Sequence, residues 1–170
     1  MTFGAVLRDA HREFPSLRII PQSESWVFRR LPGAWKRFTI TMAVPGLGWR
    51  VYVPDSLFRD ERGMNVTLRH ELVHLRDAQR FTRLGFLFMY LFLLPFGLTL
   101  RSWLEYRAYC ETVRATVDVY GFCDDYTIAA ILRQFKCAAY GWMAPFFIRR
   151  IEAGLVRVRD EAQAARAGEK

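Results

Sequence analysis

The chain is poor in the residues that staple, signal or cradle phosphate. Three cysteines, Cys110, Cys123 and Cys137, are spread over 170 residues without a C-x-x-C pair. Neither a disulfide framework nor a cysteine-held zinc is therefore expected, and the odd number fits reduced thiols in a cytoplasmic protein. There is no glycine-rich phosphate loop and no internal repeat. The N-terminus lacks a cationic start followed by an apolar run and a small-residue cleavage site, so it is not expected to be a secretory signal. Although the net charge is +8, the basic residues never gather into a long run: Arg29-Arg30, Lys36-Arg37, Arg76, Arg80, Arg83 and Arg149-Arg150 are dispersed. Without such a run or a zinc-finger spacing, nucleic acid is not the expected partner.

Histidine is scarce too, with three in the chain, and two of these stand in His70-Glu71-Leu72-Val73-His74. A helix turns about 100° per residue, so histidines four apart lie on one face and can share one metal ion. Two neutral imidazoles supply half of a tetrahedral zinc shell, and a Glu directly after the first His is suited to act as a base rather than a ligand. Asn65 or Thr67 is placed to cap the start of this helix. The remaining histidine, His11, lies beside Arg8 and Arg12 in an amphipathic N-terminal segment. There Phe3, Val6, Leu7, Ala10 and Phe14 recur at helical spacing before Pro15, so His11 is expected to face solvent.

A third protein ligand is then expected from a carboxylate. Ser102 can cap a helix that runs to Tyr120 and stops at Gly121, and this helix carries three candidates, Glu105, Glu111 and Asp118. Glu105, Ala108 and Tyr109 share a face, and the small Ala108 permits close approach of another helix.

These residues resemble the gluzincin clan of zinc metallopeptidases: His70-Glu71-Leu72-Val73-His74, followed by Glu105-Tyr106-Arg107-Ala108-Tyr109 on a second helix. The resemblance spans residues 66–116, roughly a third of the chain. It implies that His70, His74 and Glu105 hold Zn²⁺, that Glu71 is the general base, and that the substrate is a peptide or protein. The chain departs from the clan at Tyr109, where an Asp supporting a ligand histidine is common. Asp77, one turn after His74, is another acceptor for such support, unless it pairs with Arg76 or Arg80. The same donor set also accepts Fe²⁺, Mn²⁺ or Co²⁺.

The expected fold is α+β and zincin-like, of minimal gluzincin form. A small antiparallel sheet packs on the metal helix, and the C-terminal half is helical. Strands are expected in LRIIPQ, SWVFRR, RFTITMAV and WRVYVPD, the last two joined by Pro45-Gly46-Leu47-Gly48. An edge strand of this sheet could hold an extended peptide. From Leu84 to Leu100 the chain carries no charge and is interrupted by Pro95 and Gly97. It reads as a core helix ending near Leu94, an apolar hairpin making a peripheral membrane contact, or a tilted span. Asp124 and Asp125 can start a helix with Ile128, Ile131, Leu132 and Phe135 on one face. A further stripe, Phe146, Phe147, Ile151 and Leu155, follows Pro145 with Arg149, Arg150, Arg157 and Arg159 opposite. Residues 1–157 are expected to form one domain, and 158–170 a polar tail that frays. The competing function is a non-catalytic zinc-binding or membrane-associated interaction protein with a peptidase-derived fold. An intact Glu71 argues against it, because a structural zinc site has no use for a base.

Overall fold

The computed structural model describes residues 1–30, 39–44, 48–80, 96–136 and 147–168. Its architecture is α+β, and its contacts divide it into two compact units, Met1–Leu72 and Val73–Lys170.

The first unit begins with α1 (Phe3–Glu13), whose Val6 and Ala10 are buried while His11 is exposed, as the helical spacing predicts. Three strands follow, β1 (Arg18–Pro21), β2 (Ile40–Val44) and β3 (Gly48–Val53), in the order β1-β3-β2. β2 is antiparallel to β3, but β1 is parallel to it. The sheet is thus mixed and not the antiparallel one expected. The long chain between β1 and β3 returns to the same direction, as a parallel pair requires. Part of that chain is α2 (Trp26–Arg30), in a stretch expected to be a strand. Its apolar residues fit either period. In the helix Phe28 turns inward onto Tyr52, with ring centroids 5.0 Å apart, while Arg30 lies over the exposed Trp26 ring at 5.6 Å. On the other face of the sheet Phe14 of α1 meets Trp49 edge-on at 6.3 Å. Gly48 sits at φ 82°, and a Cβ there would strike Ser16, so this position requires glycine. The turn residues 45–47 lie outside the described residues.

A short α3 (Asp55–Phe58) precedes α4 (Glu61–Arg80), which begins earlier than expected. Asp60 caps it. Its carbonyl accepts the first helical bond from Met64 N–H at 2.8 Å and its carboxylate accepts Arg62 N–H at 3.1 Å. Asn65 and Thr67 are consequently interior. Asn65 is buried and donates to the Met1 carbonyl at 3.0 Å, tying α4 to the start of α1.

The second unit takes the rest of α4 together with α5 (Phe96–Tyr120), α6 (Asp125–Lys136) and α7 (Ile148–Gly168). α5 starts ahead of Ser102, which is buried inside it rather than capping it. It ends where predicted, with Gly121 at φ 93° donating its N–H to Val117 O at 2.9 Å. Residues 84–95 of the apolar run lie outside the described residues. No described helix is long and apolar enough to cross a membrane. Asp124 caps α6, accepting from Thr127 N–H at 2.8 Å and Thr127 Oγ1 at 2.7 Å. The predicted face of α6, Ile128, Ile131, Leu132 and Phe135, is buried against Val113 and Val117 of α5 and Ile151, Leu155 and Val158 of α7.

The polar segment expected to fray from residue 158 is helical to Gly168. Its small side chains need little burial because its polar ones are employed. Arg166 donates to the Val117 and Asp118 carbonyls at the end of α5, and Gln163 accepts Cys123 N–H at 3.1 Å. Cys110 and Cys123 are both free and buried.

Candidate metal centre

α4 presents His70, Glu71 and His74 on successive positions around its inner side. Glu71 is 6% and His74 8% exposed, while His70 is half-buried. In the second unit Glu105 of α5, 3% exposed, brings Oε2 to 3.6 Å from His74 Nε2. That is too long for a hydrogen bond. It is close to the separation of about 3.4 Å expected between two donors that each stand about 2.1 Å from one tetrahedral zinc. One donor atom each from His70, His74 and Glu105 lie within 4.8 Å of one another. Two imidazoles and one carboxylate are the donor set of an open zinc site, so the residues present fit the ion.

Of the three carboxylates on α5, only Glu105 joins this group. Glu111 lies 3.8 Å from Arg114, and Asp118 is exposed near the helix end. Ala108 is fully buried.

Two contacts around the centre were not legible in the sequence. Thr41 of β2 donates its hydroxyl to Glu71 Oε2 at 2.5 Å, within the first unit. Thr41 is a polar position of β2, and it is this hydroxyl that meets Glu71. The second contact replaces an expectation. Asp77 pairs with neither Arg76 nor Arg80; fully buried, it accepts from Arg107 Nη1 of α5 at 2.5 Å.

The neighbours of Glu105 on α5 make contacts of their own. The Tyr109 ring lies 5.4 Å from that of Phe135 in the helical core. Tyr106 hydrogen-bonds Cys110 and lies where a Cβ on Gly154 of α7 would be. Burial pushes up both the phenol and the thiol; their hydrogen bond raises the phenol further and pulls the thiol part of the way back. Tyr106, Arg107 and Cys110 line a cleft of about 390 Å³ with Val73 and α7, whose Arg157 stands 3.8 Å from Glu161. Tyr120 is exposed at the end of α5. No protein-family model, no curated protein and no solved structure matches the chain.

Proposed function

We propose that the protein is a zinc-dependent metallopeptidase of gluzincin type, with His70, His74 and Glu105 as metal ligands and Glu71 as general base. Its main support is the convergence of Glu105, distant in sequence, on the two histidines of α4, with donor separations suited to one ion. Zinc held there supplies a Lewis acid that polarises a scissile carbonyl and acidifies water. The chain's own residues do the rest. Glu71, adjacent to His70 and nearly buried, takes the proton from water and passes it to the leaving amine. Thr41 holds one of its carboxylate oxygens, which fixes the orientation of the base. β2 is an outer strand of the described sheet, and its Thr41 is in contact with the base. An extended peptide adding to that strand would run past Glu71 with its backbone hydrogen-bonded and its side chains directed alternately.

The test is Glu71→Gln. The variant retains zinc and loses hydrolysis of an unstructured protein such as casein; hydrolysis at the wild-type rate refutes the mechanism. A wild type that binds zinc and cleaves nothing favours the zinc-stabilised scaffold instead.

A further inference from the structure

Asp77 has no task in the mechanism above, yet it is a fully buried carboxylate one turn beyond a ligand histidine. Its Oδ1 accepts from Arg107 at 2.5 Å, and its Oδ2 has no hydrogen-bond partner among the described residues. Among the described residues a single guanidinium, that of Arg107, is paired with this carboxylate. That guanidinium is itself held, since Arg107 Cζ lies 4.8 Å from the ring centroid of Trp103, one turn earlier on α5. Trp103 is half-exposed, and the face of its ring attracts the cation.

The positions on α5 give this pair its meaning. Glu105 and Arg107 are two residues apart, about 200° around the helix. The arc between them on the shorter side carries Leu104 and Ala108, 1% and 0% exposed. Glu105 reaches His74 from one flank of that buried strip, and Arg107 reaches Asp77 from the other. A helix held at one flank can still roll about its own axis, and a roll of some tens of degrees would swing a carboxylate out of a metal shell. A helix held at both flanks cannot.

We infer that the Asp77–Arg107 ion pair, braced by Trp103, is a clamp that fixes the rotation of α5 against α4 and so positions Glu105 as the third metal ligand. Both are positioning residues, and the inference rests on the metal site proposed above. The clamp does for a ligand carboxylate what a hydrogen-bonded Asp does for a ligand histidine elsewhere: it orients a donor without touching the metal.

The experiment is zinc affinity by competition with a chromophoric chelator, with the visible spectrum of the Co²⁺-loaded protein as a second readout of donor geometry. The proteins are wild type, Arg107→Met, and the paired Asp77→Leu, Arg107→Met variant. The pair guards against misfolding, because it leaves no buried charge alone. Both variants are expected to bind zinc about ten- to a hundredfold more weakly and to show altered Co²⁺ bands. Wild-type affinity and spectrum in the folded paired variant overturn the clamp while leaving the metal site standing. Absence of zinc binding in the wild type overturns the site and the clamp with it.

Discussion

Replacing Glu105 by Gln changes almost nothing but charge at the centre. Glu105 is 3% exposed beside the fully packed Leu104 and Ala108, and Gln keeps its shape, so the helix contact survives. What goes is the one anionic donor among three, placed 3.6 Å from His74 Nε2. Loss of a supporting neighbour alone weakens metal sites about ten- to a hundredfold, so loss of a direct ligand should cost at least about a hundredfold. The consequence can be read as stability. At free zinc about a hundred times its Kd, binding to the folded wild type contributes about 2.7 kcal/mol. With about 2–4 °C per kcal/mol for a chain of this size, the unfolding midpoint rises by about 5–10 °C. At the same zinc concentration a hundredfold weaker site gains about 0.4 kcal/mol, or about 1–2 °C. Thermal unfolding followed by circular dichroism, with zinc and then with excess chelator, measures both. Equal zinc-induced shifts in wild type and Glu105→Gln would refute the assignment of Glu105 as a ligand.

Thr41→Val removes the hydroxyl that holds Glu71 Oε2 and keeps the side-chain volume. We expect kcat to fall at least tenfold with zinc content unchanged, and Thr41→Ser to recover most of it; an unaltered kcat in Thr41→Val counts against this role. Phe135→Ala empties the centre of the helical core, where Phe135 is 0% exposed, and should cost about 3–5 kcal/mol in urea unfolding. A cost under about 1 kcal/mol would mean that the core packs differently. Burial raises the Cys110 thiol above its ordinary range, which lowers its thiolate fraction at any given pH below that of an exposed cysteine. Native protein at pH 8 should therefore resist alkylation at Cys110 and react fully once unfolded in urea, as peptide mass mapping would report. Rapid native labelling would contradict the buried placement.

Patterns with a local cause were the legible ones. Val6 and Ala10 of α1 and Ile128, Ile131, Leu132 and Phe135 of α6 are buried where helical spacing places them, because a face of a helix follows from its period alone. Gly121 ends α5 because it can adopt the φ of 93° that other residues resist. The misses share a different cause. Ser102, Asn65 and Thr67 have the chemistry of helix caps, but all three lie inside longer helices, where Ser102 and Asn65 are buried. Trp26–Arg30 is compatible with both periods, and it is the packing of Phe28 on Tyr52 that accompanies the helix. The 158–168 segment looked too polar to order, yet its Gln163 and Arg166 meet backbone groups more than thirty residues away.

The centre divides along the same line. That His70, Glu71 and His74 stand together follows from helix geometry and is legible in their spacing alone. Tertiary structure alone decided that Glu105 converges on them while Glu111 and Asp118 do not. It likewise decided that Thr41 grips Glu71, that Asp77 takes Arg107, and that Tyr109 turns into the core. Each of these depends on how one helix or strand is rotated against another. That rotation depends on contacts between residues far apart in sequence, apolar ones such as those of Leu104, Ala108 and Val113 and the Asp77–Arg107 pair beside them, and no short window of residues contains it.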